Sequence, residues 1–379
     1  LDLFVANYVD YDSGWPCSAP DGAPDFCAPK TFSGTADMLF HNRGNGQFED
    51  VSLSSGIAKL VGPGLGVICA DLSGDGWTDI LVANDGHPNR LWINQHNGTF
   101  RDEAVSRGVA YNAMGNAEAN MGIAPADFDG DGLIDLYVTH LANETNRLWK
   151  QGPPGAFRDR TVEMKLNAAR WRGTGFGTVA GDFDCDGLPD LAVMNGRVAK
   201  DLRAKNPHLG EFWGLYGERN QVFRNVGNGF DDVSIHNPTF CDNANIGRGL
   251  IAVDLDDDGG LDLVTTAVNG PAQIYRNVAP NRGHWVRIRA IDPASKRDAI
   301  GTELVVVAGE KRYLRVLNPA ESFLCASAPE VHVGLGGAEK IDRIEVRWPD
   351  GAEESFPATN ADRRIVLRKG SATIEEVRP

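Results

Sequence analysis

The chain has no long apolar run, no basic stretch and few cysteines, and each shortage narrows its chemistry. No segment approaches the ~20 apolar residues that a membrane-spanning helix needs. Lys and Arg total 37 against 52 Asp and Glu and form no cluster that could neutralise phosphates, so nucleic acid is not an expected partner. None of the spacings of Cys17, Cys27, Cys69, Cys185, Cys241 and Cys325 matches a zinc site. No Arg-Gly-Asp tripeptide occurs, which removes integrin-style ligand mimicry. No convincing amphipathic helix is present. At 379 residues, with 42% hydrophobic residues and a formal charge of −15, the sequence describes a folded, acidic chain long enough for two domains.

What is abundant is one acidic loop. It reads D-x-[DS]-x-D-G-x-x-D and occurs at 71–79, 127–135, 182–190 and 254–262. Carboxylates at positions 1, 3 and 5 converge because alternate side chains of a tight loop face one centre. The position-6 glycine permits the sharp turn, position 7 offers a carbonyl, and the ninth residue closes the cage. Hard oxygen ligands in a flexible loop suit calcium before magnesium or zinc. The expected ligands are Asp71, Ser73, Asp75, Trp77 and Asp79; Asp127, Asp129, Asp131, Leu133 and Asp135; Asp182, Asp184, Asp186, Leu188 and Asp190; and Asp254, Asp256, Asp258, Gly260 and Asp262. A single such loop reads equally as a polar Asp/Gly turn. Four in register would repel severely without a cation. About four Ca2+ sites are therefore expected, the first weaker because Ser73 removes a charge. Four such ions would bring the formal charge from −15 to −7, so the acidity need not signal a basic partner.

The loops recur with a strand pattern. A Gly-rich lead-in precedes each (Gly64 and Gly66, Gly122, Gly175 and Gly177, Gly247 and Gly249). A second strand follows, and then a third with an aromatic: Trp92, Trp149, Phe223 and Tyr275. The first four of five units turn through glycine to a phenylalanine (Phe48, Phe100, Phe157, Phe230). Four short strands in about 55 residues describe a propeller blade, with the aromatics filling the gaps between sheets. Leu1 to Asn7 match the end of an acidic loop and its following strand. One partial and four full blades are expected, with the preceding residues, and any export signal, upstream of residue 1.

These loops and lead-ins resemble the FG-GAP/VCBS calcium repeats of integrin α-subunit propellers. The stretches Leu81-Val-Ala-Asn-Asp-Gly-His-Pro-Asn-Arg-Leu-Trp92 and Glu144-Thr-Asn-Arg-Leu-Trp149 are closer still to bacterial proteins similar to cartilage acidic protein. The resemblance implies about seven blades in the whole propeller and calcium between the first and second strands of a blade. Beyond Asn277, the stretches 295–301, 331–336 and 341–351 resemble the ASPIC/UnbV domain; the run from Asn318 to Glu321 departs from its Gly-rich pattern. The expected fold is all-β: a β-propeller of four-stranded blades, N-terminally incomplete, over residues 1–281, then a small β-sandwich-like ASPIC/UnbV domain over 282–370 and a tail over 371–379.

Cys17 and Cys27 bracket a Pro/Gly/Asp-rich loop and either close it as a disulfide or remain free thiols. Cys69 reads as a small core residue. His140 and His332 lack the Ser or Cys elbow of a hydrolase and read as structural. Arg297 and Asp298 are expected to pair with each other or with the opposite strand. The insertion at 197–219 carries His208, Phe212, Trp213 and Tyr216, which either contact a protein or sugar ligand or cover a blade edge. The expected function is a calcium-binding adhesion, ligand-binding or scaffold module that is secreted, periplasmic or at the cell surface, where calcium is abundant. The alternative is an enzyme of specialised metabolism using a channel or interdomain site, although no nucleophile, oriented base or cofactor motif is visible.

Overall fold

The computed structural model describes residues 1–19, 21–204 and 206–377. Its regular structure is dominated by strands, and the α-helices Ala104–Arg107, Gly210–Trp213 and Pro238–Cys241 are single turns. Five antiparallel sheets follow one another along the chain. The first joins Leu3–Val5, Met38–Asn42 and Phe48–Asp50. The second joins Gly64–Ala70, Asp79–Asn84, Arg90–Asn94 and Phe100–Asp102. The third runs through Ile123–Ala126, Asp135–Val138, Arg147–Gln151 and Phe157–Asp159, and the fourth through Gly175–Gly181, Asp190–Asn195, Gln221–Asn225 and Phe230–Asp232. Gly247–Val253, Asp262–Ala267 and Gln273–Tyr275 make the fifth. In the second, third and fourth sheets the second strand is buried along its whole length, as a sheet covered on both faces requires.

One expectation needs correcting. The fifth sheet has three strands among the described residues, where a full blade was expected. Its third strand ends at Tyr275, and the chain, lacking the Gly-x-Phe return of earlier units, passes directly to the strand His284–Asp292.

The lead-in glycines and the third-strand aromatics explain why the sheets stack. A Cβ on Gly66 would strike the Met121 carbonyl, one on Gly122 the Phe176 carbonyl, and one on Gly177 the Arg248 carbonyl at 2.7 Å. Each lead-in glycine thus lies directly against the backbone at the start of the next sheet, an approach that leaves no room for a Cβ. Between sheets, Trp92 packs with Leu39 and Ile57, Trp149 with Ile68 and Leu81, and Phe223 with Ala124 and Tyr137. Tyr275 packs at the edge of the next cluster, beside Phe240 at 5.2 Å. Burying such rings contributes about 1.5–3 kcal/mol each by area transfer.

The C-terminal part is a two-sheet sandwich. In one sheet His284–Asp292 lies between Val331–Gly336, antiparallel, and Arg363–Arg368, parallel. The other runs Lys311–Val316, Glu303–Ala308, Arg343–Arg347, Glu353–Phe356. Val286, Ile288, Leu304, Ile344, Trp348 and Ile365 meet between them. The segment expected as a tail supplies a further strand, Ile374–Val377, paired with Arg363–Arg368. Its apolar Ile374 packs on the sandwich core.

A hairpin leaves this sandwich between Ala320–Glu321 and Cys325–Ala326 and enters the repeat region. Ser322 exchanges backbone hydrogen bonds with Ile123, at 2.7 and 3.1 Å, and its Oγ accepts from the Thr178 amide at 3.0 Å. Phe323 is buried against Met121 and Phe176. The run from Asn318 to Glu321, where the sequence departs from the ASPIC/UnbV pattern, leads into this insertion.

Candidate metal centres

All four acidic loops join the first and second strands of a sheet. The residue before position 1 pairs with the position-9 aspartate in each: Ala70 with Asp79, Ala126 with Asp135, Gly181 with Asp190, Val253 with Asp262. The position-1 carboxylate turns inward and accepts the loop's own amides. Asp71 takes those of Gly74, Asp75 and Gly76, and Asp127 those of Gly130, Asp131 and Gly132. Asp182 and Asp254 repeat the pattern with two amides each. The position-6 residue has positive φ throughout, from +82° at Gly132 to +104° at Gly187, which is why glycine stands there. The amides of Trp77, Leu133, Leu188 and Gly260 bond the position-5 carboxylate, fixing the orientation of the position-7 peptide.

The position-9 aspartates hold the loop to the sheet. Asp135 accepts from Phe128 N at 3.3 Å and Gln151 N at 2.8 Å, and Asp190 from Phe183 N at 3.1 Å and Asn225 N at 2.7 Å. Asp79 and Asp262 do the same with Asn94 and Asn277. Those third-strand Asn and Gln residues also donate from their side chains to the position-8 carbonyl in the first three loops, so each loop is tied at both ends. Their place in the loop function was not read from the sequence, though their recurrence one strand beyond each loop is visible there.

Three loops bring carboxylate oxygens within 4.8 Å of one another: Asp127, Asp129 and Asp131; Asp182, Asp184 and Asp190; Asp254, Asp256 and Asp258. Burial pushes the Asp135 and Asp182 carboxyls up to about 7 and Asp79 to about 6, and lifts Asp190 well above the usual carboxylate range. Anions crowded and desolvated in this way fit a site for a hard cation, because a bound ion would reverse the penalty. The first loop, with Ser73, forms no triad among the described residues.

Basic side chains meet these loops from two directions. Lys150, Arg224 and Arg276, on the third strands, reach the carboxylates at positions 3 and 5 of the second, third and fourth loops. From the sandwich, Arg347 lies 3.4 Å from Asp71, Arg287 2.9 Å from Asp254, and Arg282 2.9 Å from Asp258. Backbone contacts reinforce this: Gly283 N donates to Asp184 O, and Gly336 N to Cys185 O. A Cβ on Gly187 would come within 2.5 Å of the Tyr313 ring. The sandwich therefore rests on the loops, and a cavity of about 140 Å³ between them is lined by Asp127, Asp182, Asp254, Arg287, Arg315 and Glu321. Sequence reading missed this interface because nothing along the chain relates Arg287 or Arg347 to aspartates far away.

The remaining candidates are built into the scaffold. His140 is 0% exposed, with Nδ1 2.9 Å from Val138 O and Nε2 3.0 Å from Asn120 Oδ1, and burial lowers its pKa to about 4. His332 contacts the Gly259 carbonyl through Nε2 at 2.9 Å and is likewise lowered by burial. Asp298 pairs with Arg289 on the neighbouring strand rather than with Arg297. Cys17 and Cys27 are joined, their Cα atoms 5.2 Å apart. Cys69 is partly buried, and Cys185 takes position 4 of the third loop, with positive φ.

In the 197–219 insertion Tyr216 is 1% exposed and packs on Phe26 of the disulfide loop, its hydroxyl donating to Asp25. Trp213 stacks on the same Phe26, and His208 contacts the Ala244 carbonyl. Of the two readings left open for this group, ligand contact or a covering role, Tyr216 takes the covering one. Phe212, at 47%, keeps an exposed face.

The matches to known proteins now have a geometry behind them. The FG-GAP-like repeat family matches residues 20–82, 71–138 and 127–193, and the ASPIC and UnbV family matches 292–374. The chain belongs to the proteins that join FG-GAP-like repeats to an ASPIC/UnbV domain. It is homologous to cartilage acidic protein 1, with 28% identity to the mouse protein and 27% to the human one. Each alignment covers 96% of this chain, which spans about half the length of those relatives. Among solved structures, an Agrocybe aegerita lectin that recognises non-reducing terminal N-acetylglucosamine aligns with a TM-score of 0.32 and 15% identity over 65% of this chain and 77% of its own. A Bombyx mori GH32 β-fructofuranosidase aligns at 0.36 and 10% identity, over 95% and 86%. Likeness this weak carries no argument about function.

Proposed function

We propose that this FG-GAP-repeat chain is a calcium-stabilised propeller module for adhesion, ligand binding or scaffolding, working outside the cytoplasm. The observation that carries the reading is the fourfold repetition of one loop in one sheet position, with three loops converging carboxylates to within 4.8 Å. Asp and Ser side chains at positions 1, 3, 5 and 9 and the carbonyls of Trp77, Leu133, Leu188 and Gly260 would hold the ions. Oxygen-only donors on a flexible loop match calcium's preference for six to eight hard ligands. Calcium there would neutralise the buried aspartates and fix the loops on which the sandwich rests.

The Cys17–Cys27 disulfide and homology to cartilage acidic protein 1 support an oxidising, calcium-rich compartment. Among the described residues no helix is long and apolar enough to cross a membrane. His140 and His332 are engaged in scaffold contacts, which favours binding over catalysis. A protein or carbohydrate ligand remains the proposed partner, with Phe212 as a contact. Equilibrium dialysis with metal analysis tests the calcium reading. About four calcium ions per chain are expected, and a stoichiometry of zero after exposure to millimolar calcium would contradict it.

A further inference from the structure

Building on the calcium reading, we infer that Lys150, Arg224 and Arg276 are tethered counter-ions that keep the empty loops in shape and lower their affinity for calcium. The three occupy one structural position, immediately before Gln151, Asn225 and Asn277, which tie the loops to the sheet. Lys150 Nζ lies 2.6 Å from both Asp129 and Asp131. Arg224 lies 2.6 Å from Asp184 and 3.5 Å from Asp186, and Arg276 2.7 Å from Asp256 and 3.5 Å from Asp258. One cation thus spans positions 3 and 5 in each case.

The first loop is the internal control. It has Ser73 at position 3, and its third strand has Ile93 where the others have a cation. Counting positions 1, 3, 5 and 9 with that strand residue, three loops carry four carboxylates and one cation, and the first carries three carboxylates and none, its Asp75 being met instead by His96 Nε2 at 2.9 Å. All four come to the same formal charge of −3. The added carboxylate and the added cation arrive together.

The physical consequence follows from Coulomb's law. Carboxylates within 4.8 Å of each other repel, and a cation bridging two of them relieves the repulsion without any metal. An arriving calcium ion competes for those oxygens and meets a positive charge beside its site. The Lys and Arg side chains are 25%, 50% and 64% exposed, so each can withdraw into water as the ion enters. Affinity is exchanged for a loop that stays ordered when empty and releases its ion readily.

Lys150→Met keeps the length of the side chain and removes its charge. In calcium titrations of the full chain against a chromophoric chelator, one site should tighten at least tenfold, or about 1.4 kcal/mol. The melting temperature in EGTA should fall at the same time. Arg276→Met, at the most exposed of the three positions, provides the same test should Lys150→Met fail to fold. Equal or weaker calcium binding by Lys150→Met or Arg276→Met, beside a wild type that binds four ions, would overturn this inference alone. A wild type that binds none would remove the calcium reading and this inference with it.

Discussion

Replacing Asp135 by Asn separates the two roles of the ninth loop residue. The Asp135 carboxylate is 1% exposed and accepts the amides of Phe128 and Gln151, one through each oxygen. Asparagine keeps one acceptor and turns an NH2 group toward the other amide, leaving a buried donor unmet. That costs about 1–3 kcal/mol with or without metal. If Asp135 also holds calcium, the variant forfeits the site as well. A site filled at a hundred times its Kd contributes about 2.7 kcal/mol, so the loss in calcium should be roughly twice or more the loss in EGTA. Thermal melts of wild type and variant, each in millimolar calcium and in EGTA at pH 8, give this double difference directly. Equal losses in the two conditions would show that Asp135 is only a hydrogen-bond acceptor, and the ligand assignment for position 9 would be wrong.

Other consequences are as concrete. Asp135, Asp182 and Glu321 have folded-state pKa values near 7, raised chiefly by burial above the ordinary carboxylate value. A raised folded pKa favours folding below the unfolded pKa, and this advantage is lost as pH climbs through the folded value. The metal-free protein should therefore lose stability between pH 6.5 and 8, above the window in which His140 and His332 titrate; melts across that range in EGTA that stay flat or rise would contradict the burial argument. Phe323→Ala should cost about 3–5 kcal/mol by emptying the hairpin's contact with Met121 and Phe176, measured by denaturant unfolding. A loss below 1 kcal/mol would mean the hairpin does not bind the two parts of the chain together.

How much of this was legible depends on the range of the interaction. Everything set by neighbours along the chain could be read: the Asp-Gly loop, the buried second strand, and the Gly-rich lead-in. Trp92 and Phe223 were readable as gap-filling residues because one blade packs on the next in sequence. That the fifth sheet has three strands among the described residues could have been inferred from the absent Gly-x-Phe return after Tyr275. The contacts of Arg287 with Asp254, Arg347 with Asp71 and Ser322 with Ile123 were not readable. They join residues 33, 276 and 199 positions apart in the chain, and no local pattern encodes them. The choice between the two readings of Tyr216 was not readable for the same reason, since its neighbours Phe26 and Asp25 lie in the disulfide loop. The third-strand cations were visible as residues, but their role appeared only when the register placed them over positions 3 and 5.

The most direct test of the account is thermal unfolding of the intact chain in millimolar calcium and in EGTA. Four sites at a hundred times their Kd would contribute roughly 11 kcal/mol, comparable with the whole stability of an ordinary domain. A melting temperature that collapses in EGTA and returns when calcium is restored is the predicted result. An unchanged melt would mean that these aspartates are satisfied by the chain's own lysines and arginines, and that calcium is not what holds the loops.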